Sequence, residues 1–169
     1  MKVSTKALVR AGIIASLYVV LSLASFPVAS GAIQFRLSEA LCVLPLVFIE
    51  SVPALAVGCF LTNLMTGCAV FDGVFGGLIT FFAGALTYLT GKIITKKAPK
   101  IIAGGFFPIA LNALFLPLIW IWCYGVLEYA YWIQVAFLLI SQSVSIYLLG
   151  SPVYLCTLRL KNKGLKFLE

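Results

Sequence analysis

Long apolar runs constrain this chain more than any other feature of its sequence. Five clear runs cover residues 7–29, 52–70, 74–94, 101–122 and 131–158. An apolar run of about 18 or more residues is typical of a helix that spans a membrane. The composition agrees, because 63% of the residues are hydrophobic and only 10% are charged, whereas a soluble domain is about half apolar and a quarter charged. The sequence therefore predicts an all-α membrane protein with a single transmembrane domain over residues 1–169.

A sixth, shorter run covers Leu37–Ile49 and contains Pro45. As an α-helix it would rise only about 20 Å, against a hydrocarbon core of about 30 Å. The basic residues decide whether it is a span, since cytoplasmic loops are enriched in Lys and Arg. They form three clusters, at the N-terminus (Lys2, Lys6, Arg10), in the middle (Lys92, Lys96, Lys97, Lys100) and at the C-terminus (Arg159, Lys161, Lys163, Lys166).

An even number of crossings must separate the first two clusters if both are cytoplasmic. That condition holds only if residues 37–49 form a span as well. The prediction is a six-transmembrane-helix bundle in the plasma membrane, with both termini cytoplasmic and spans at about 7–29, 37–49, 52–70, 74–94, 101–122 and 131–158. The run from Ala11 to Ala29 exceeds the 7–15 residues or so of a signal-peptide core, so we expect it to be retained as the first span.

Several function classes have little support in the sequence. The net charge of +7 comes from residues at the ends of apolar runs, which favours membrane orientation over nucleic-acid binding. The chain has no histidine, and its five cysteines form no C-x-x-C pair, so we expect no metal site and no cofactor. Gly91-Lys92 lacks the upstream glycine and the following Ser or Thr of a P-loop. We therefore expect that the chain is not an enzyme.

The predicted topology places an unusual group of polar and aromatic residues on the outer face. Gln34, Arg36 and Glu39 lie within a few residues of one another, just before a short span, and a charge near hydrocarbon is usually paired or functional. Arg36 and Glu39 are close enough in sequence to pair with each other. Asp72 and Glu128 lie in two other outer connections, and the tryptophans and tyrosines of that face are typical of a membrane-interface belt as well as of a pocket.

Two further patterns lie within the spans. Asn112 lies between Pro108 and Pro117 in the fifth span, and broken helices often line transporter sites. The first span repeats alanine every four residues, at Ala7, Ala11 and Ala15. This spacing lets another helix approach closely, either within the bundle or from a partner subunit.

Three motifs carry a resemblance to a known family. The stretches "QFRLSEALCVLP" (Gln34–Pro45), "DGVFGGL" (Asp72–Leu78) and "NALFLP" (Asn112–Pro117) resemble the QueT family, and the similarity extends over essentially the whole chain. QueT proteins are regarded as the substrate-binding S components of energy-coupling factor (ECF) transporters. The resemblance implies a six-helix protein that binds a vitamin-like solute from outside, here a queuosine precursor of the 7-deazaguanine class. It also implies docking onto a transmembrane T component with two ATPase subunits, through Ala7, Ala11 and Ala15.

The chemistry of a 7-deazaguanine suggests roles for the outer residues. One carboxylate can accept both N–H groups of its guanine-like edge, and its flat ring can stack on aromatic side chains. We predict Glu39 as the first acid of the site and Asp72 as the second. We predict that Gln34 and Asn112 bond the carbonyl of the solute, and that Arg36 orients Glu39 or closes the outer loop. The remaining predicted binding residues are Trp120, Trp122 and Tyr124 for stacking and Glu128 as a further acid.

Three other functions remain compatible with the sequence. The chain could be an S component for a different cationic heterocycle. It could also be an autonomous channel or small secondary transporter, although the halves show no clear inverted repeat. A structural or assembly subunit would use the alanine face and leave the outer residues as a solvated rim.

Overall fold

The structure is a computed structural model that describes residues 4–29, 34–125 and 129–163, and every regular element among them is helical. The elements in order are α1 (Thr5–Ala29), a 3-10 helix (Leu37–Leu46), α2 (Ser51–Met65), α3 (Val70–Ile93), α4 (Lys97–Tyr124), α5 (Tyr131–Ser143), a π-helical segment (Val144–Gly150) and α6 (Ser151–Asn162). The last three follow one another without a break and form a single helix of 32 residues.

Four of these helices have the length and hydropathy needed to cross a membrane. They cover Thr5–Pro27, Val70–Ile93, Lys97–Tyr124 and Tyr131–Asn162. The 3-10 helix and α2 are apolar but shorter. The 3-10 helix rises about 20 Å at 2.0 Å per residue, and α2 rises about 22 Å at 1.5 Å per residue. The chain thus has apolar helices at all six predicted positions, and four of them reach the length of a full span.

The connection between α2 and α3 comes earlier than the sequence predicts. α2 ends at Met65, whereas the second long apolar run continues to residue 70. Gly67 adopts a φ of +78°, a left-handed conformation that glycine tolerates and that commonly ends helices. α3 then begins at Val70 and carries Asp72 in its first turn.

The 3-10 helix lies at the centre of the fold. It contacts α1, α2, α3, α4, the π-helical segment and α6, and all its residues from Ser38 to Leu46 are buried. Its neighbours approach closely through glycines. A Cβ at Gly91 would lie 2.9 Å from the Leu46 carbonyl oxygen, and one at Gly150 would lie 3.0 Å from the Ala40 carbonyl oxygen. Larger residues at these positions would push the surrounding helices away from the centre.

Charged contacts define one end of the bundle, which we call the basic end. The Arg10 guanidinium pairs with Glu50 at 2.5 Å. Arg10 and Lys161 both lie over the Phe48 ring, 5.0 and 5.7 Å from its centroid. These contacts join α1, the turn before α2 and α6. The 3-10 helix runs toward this end, so its first residues lie away from it, beside the middle and later part of α1.

Candidate functional site

Glu39 is a buried carboxylate near the start of the 3-10 helix, with only 4% of its surface exposed. Its hydrogen bonds with described residues come from three neutral groups. The Tyr18 hydroxyl donates to Oε1 at 2.9 Å, and the Asn112 amide and the Cys42 thiol each donate to Oε2 at 3.3 Å. An ionised carboxylate offers about four acceptor positions. Glu39 therefore joins α1, the 3-10 helix and α4, and Oε1 retains the capacity to accept another donor.

Tyr18 is absent from the predicted set of site residues. It is fully buried and fits against α2 because Gly58 lies beside it, where a Cβ would come within 2.9 Å of the Tyr18 Cβ. The sequence does carry a signal for it. Tyr18, Ser22 and Ser25 follow helical spacing and are all buried in α1. A polar stripe on a membrane-spanning helix is expected to face other helices rather than lipid.

The same stripe of α1 holds the start of the 3-10 helix. The Ser22 hydroxyl donates to the Ser38 hydroxyl at 2.6 Å, and the backbone N–H of Leu37 donates to the Ser25 hydroxyl at 3.2 Å. The first N–H groups of a helix have no partner within the helix. Ser25 therefore satisfies one of them, and the pair of serines fixes the position of Glu39 one residue further on.

Arg36 contacts α2 rather than Glu39. Its guanidinium donates to the Asn63 side-chain oxygen at 3.3 Å, and among the described residues it forms no ion pair with Glu39. The Asn63 amide nitrogen in turn lies against Gly76 of α3, 3.0 Å from where a Cβ would be. Burial lowers the pKa of Arg36, but the neighbouring Tyr18, Cys59 and Glu39 side chains raise that pKa on balance. Arg36 therefore remains cationic beside the site and ties the preceding loop to α2.

A cavity of about 200 Å³ lies next to these groups. It is lined by Ser22, Phe26, Gln34, Arg36, Thr62, Thr66 and Cys68. Drug-sized ligands occupy pockets of about 300–1,000 Å³, so this cavity suits a smaller solute. Gln34 has a φ of +44°, which is uncommon for a residue other than glycine, and strained residues of this kind cluster at ligand sites. Gln34 and Arg36, both predicted for the site, thus line the same cavity.

Asp72 lies near the same cavity, because Arg36 and Cys68, which line that cavity, both interact with its carboxylate. It is 5% exposed, and the Tyr124 hydroxyl donates to its Oδ2 at 3.2 Å. The same hydroxyl accepts the Ala69 backbone N–H at 2.9 Å. Tyr124 therefore fastens the start of α3 to the end of α4. Among the described residues no three His, Cys, Asp or Glu side chains form a group that could hold a metal ion.

The predicted aromatic residues lie in different surroundings. Trp122 is 65% exposed and makes edge contacts with Phe71 and Phe75, with ring centroids 5.8 and 5.3 Å away. Trp120 is partly buried and packs with Ala113 and its neighbours in α5. Glu128 lies outside the described residues. The structure therefore brings Glu39, Asn112, Arg36 and Gln34 into one region, while Asp72 and Tyr124 pair with each other.

Comparison with known families matches the chain to one of them. The family model for the QueT transporter matches residues 8–159. The chain belongs to the QueT transporter family. This confirms the resemblance that its motifs indicated, and it supports a transport role and a membrane location. Comparisons with curated proteins and with solved structures gave no match.

In this QueT family member the alanine repeat of α1 is only partly available to another protein. Ala11 and Ala15 are half-buried and pack against the core of the chain itself. Ala7 is half-buried near the start of the helix, while Gly12 and Ser16 on the neighbouring face are exposed. A Cβ at Gly12 would meet no atom within 4 Å. The exposed side of α1 thus presents small residues beside the alanine repeat.

Proposed function

We propose that this chain is the substrate-binding S component of an ECF-type importer, and that it takes up a queuosine precursor of the 7-deazaguanine class. Membership of the QueT transporter family supports a transport role. One observation carries the choice of substrate site. Glu39 is a buried acid whose described hydrogen-bond partners are all neutral, and its neighbour Arg36 is bonded to Asn63 instead.

A buried carboxylate with neutral partners suits a solute rich in N–H groups. Transfer of a carboxylate out of water is costly unless it is well hydrogen-bonded or paired. A 7-deazaguanine presents a ring N–H beside an amino group, and one carboxylate can accept both. Charge-assisted hydrogen bonds of this type are about twice as strong as neutral ones. Binding therefore fills the remaining acceptor positions of Glu39 with hydrogen bonds, and these bonds hold the solute by its guanine-like edge.

The other predicted residues take secondary roles in this proposal. Gln34 and Arg36 line the cavity, and in this proposal they form the outer lip of the path to Glu39. Asn112 holds Glu39 in place through its amide. Asp72, with Tyr124 bonded to it, serves as the second acid for an aminomethyl-bearing, cationic precursor, and Glu128, Trp120 and Trp122 belong to the surrounding outer face.

Energy for uptake comes from partner subunits in this proposal. The chain has no P-loop, so ATP hydrolysis is assigned to two ATPase subunits joined to a transmembrane T component. Ala7, Ala11 and Ala15 together with the exposed Gly12 and Ser16 form the docking face on α1, because small residues let a partner helix approach closely.

Ligand titration tests the substrate and the site together. Purified chain in detergent is titrated with the aminomethyl-bearing 7-deazaguanine base, and binding is followed by the fluorescence of Trp120, Trp122 and Trp132. We expect saturable quenching that the Glu39→Gln variant loses, because the amide puts an N–H donor where the solute needs an acceptor. The matched control is Glu50→Gln at the basic end, where Glu50 pairs with Arg10.

Each result has a clear meaning. Loss of binding in Glu39→Gln with retention in Glu50→Gln supports the assignment of the site. Equal affinity in wild type and Glu39→Gln contradicts it. Binding of a different cationic heterocycle, with no response to any 7-deazaguanine, would identify an S component for another solute.

A further inference from the structure

Two buried polar atoms in the last helix have no hydrogen-bond partner among the described residues. They are the side-chain oxygen Oε1 of Gln142 and the hydroxyl Oγ of Ser145. Gln142 is 3% exposed and Ser145 is 1% exposed. Buried polar atoms are nearly always hydrogen-bonded, so each exception needs a physical explanation.

The positions of their neighbours place both residues on the side of the last helix that faces α4 and the 3-10 helix. Leu138, one helical turn before Gln142, is buried in a cluster with Ala113, which follows Asn112. Gly150, at the end of the π-helical segment, lies against the Ala40 carbonyl, and Ala40 follows Glu39. Gln142 and Ser145 lie between these two contacts, and they share the face of Leu138 because residues i, i+4 and i+7 are aligned on a helix.

The hydrogen bond between Asn112 and Glu39 connects the same two neighbours, α4 and the 3-10 helix. The face that carries Gln142 and Ser145 is in contact with α4 at one end and with the 3-10 helix at the other. This face is therefore directed toward the same two elements that the Asn112–Glu39 bond joins.

Ser145 also departs from the usual behaviour of a buried helical serine. Such a hydroxyl normally donates to a backbone carbonyl in the preceding turn. In the same long helix Ser141 donates to the Leu138 carbonyl at 3.2 Å and Thr157 to the Val153 carbonyl at 2.8 Å. Ser145 lies in the π-helical segment and forms no such bond. π-helical segments are rare and are frequently found at functional sites.

We propose that Gln142 and Ser145 are specificity-determining residues of the solute site, and that they accept an N–H group on the edge of the solute away from Glu39. This proposal rests on the function proposed above. In a 7-deazaguanine free base, that group is the N–H of the five-membered ring. The Gln142 oxygen is an acceptor and the Ser145 hydroxyl can accept as well. In a nucleoside the same ring nitrogen carries ribose and has no hydrogen to donate, so these two residues select the free base.

Substitutions that remove the polar atoms test the proposal. Gln142→Met keeps the length of the side chain without its acceptor, and Ser145→Ala removes the hydroxyl. We expect the dissociation constant for the aminomethyl-bearing base to rise about tenfold in Gln142→Met, because an unmatched buried donor weakens binding by about that factor. Ser141→Ala, whose hydroxyl is bonded within the helix, is the matched control and should bind like wild type.

Thermal unfolding without solute separates this role from a packing role. Removing an unsatisfied buried polar atom should leave the unfolding midpoint unchanged or raise it. Weaker binding with an unchanged or raised midpoint supports the proposal. Unchanged affinity in both variants overturns it, and so does a loss of affinity that merely follows a lowered midpoint.

A methylated solute provides the second test. Methylation of the five-membered-ring nitrogen should weaken binding to wild type by about tenfold. It should not weaken binding to the Gln142→Met variant any further. Equal losses in both proteins overturn the proposal. If wild type and Glu39→Gln differ in affinity while Gln142→Met matches wild type, only this inference fails. If wild type binds no 7-deazaguanine, the proposed function fails with it.

Discussion

Glu39 shows how individual residues adapt an apolar bundle to hold an acid. Placing a charged side chain at membrane depth costs about 2.5–3.5 kcal/mol on insertion scales. Here the cost is reduced by donors from Tyr18, Asn112 and Cys42. Among the described residues no cation forms an ion pair with Glu39, and the nearby charge of Arg36 stabilises it without a direct bond, so its Oε1 remains available to a solute that brings N–H donors of its own.

Gly58 provides a direct test of how tightly this region is packed. We expect Gly58→Ala to destabilise the chain by about 1–3 kcal/mol, as overpacking of a core usually does. The added Cβ would lie 2.9 Å from the Cβ of Tyr18, an atom that no rotamer change can move. The measurement is the thermal unfolding midpoint of the detergent-solubilised chain.

Gly12→Ala is the matched control, since a Cβ added at Gly12 would have no atom within 4 Å of it. This variant should keep or raise the unfolding midpoint, because alanine is the better helix former. A similar loss in both variants would mean that the effect comes from the glycine backbone and not from Tyr18.

The sequence predicted part of this site at the residue scale. Glu39 and Arg36 were predicted because they are charged residues in an apolar chain, and Asn112 was predicted because it lies between two prolines. Their partners were not predictable in the same way. An Arg–Glu pair three residues apart was one interpretation, yet Arg36 bonds to Asn63, which is distant in sequence. Tyr18 was missed although it shares a helical stripe with Ser22 and Ser25, because that spacing indicates only that the ring faces other helices and not which group its hydroxyl meets.

At the scale of elements, two unusual helices meet at the site. The 3-10 helix packs against the π-helical segment, and 3-10 runs beyond about four residues are uncommon. The sequence predicted a short apolar element over residues 37–49 from charge counting. It could not predict its winding, because Ser38–Leu46 are all buried and leave no periodicity that distinguishes an α-helix from a 3-10 helix.

The pair Ser22 and Ser38 holds this element in place, and a double-mutant cycle can measure that. The two hydroxyls are 2.6 Å apart, and both residues are at most 2% exposed. We expect Ser22→Ala and Ser38→Ala to destabilise the chain separately, and the double variant to lose less than their sum. The coupling should be about 0.6 kcal/mol and at most about 1.7 kcal/mol, the range measured for hydrogen bonds in membrane bundles.

The measurement is reversible unfolding of the three variants and wild type in the same detergent. Ser16→Ala is a suitable control, because its hydroxyl bonds only to the Gly12 carbonyl in its own helix. Strictly additive losses in the cycle would show that the two serines do not support each other.

At the scale of the whole molecule, the two ends of the bundle differ in kind. The basic end carries the Arg10–Glu50 pair and two cations over Phe48, and the cavity of about 130 Å³ beside them is lined mostly by apolar side chains. The opposite end holds the more polar cavity beside Gln34 and Arg36. The buried Glu39 lies deeper, bonded to Tyr18 and Asn112 near the middles of α1 and α4. A solute is therefore expected to reach Glu39 from the end with the more polar cavity, while passage to the basic end requires this packed core to rearrange.

That asymmetry predicts that the chain binds solute by itself but does not transport it by itself. In proteoliposomes that contain only this chain, we expect binding of the aminomethyl-bearing base without accumulation inside. The proposed function predicts uptake once a T component and two ATPase subunits are added with ATP, because ATP hydrolysis in those subunits then supplies the energy. Glu39→Gln in the complete assembly should abolish uptake while the ATPase subunits and the T component remain bound. Uptake by the chain alone would instead identify an autonomous transporter, since passage through the core would then need no partner to rearrange it.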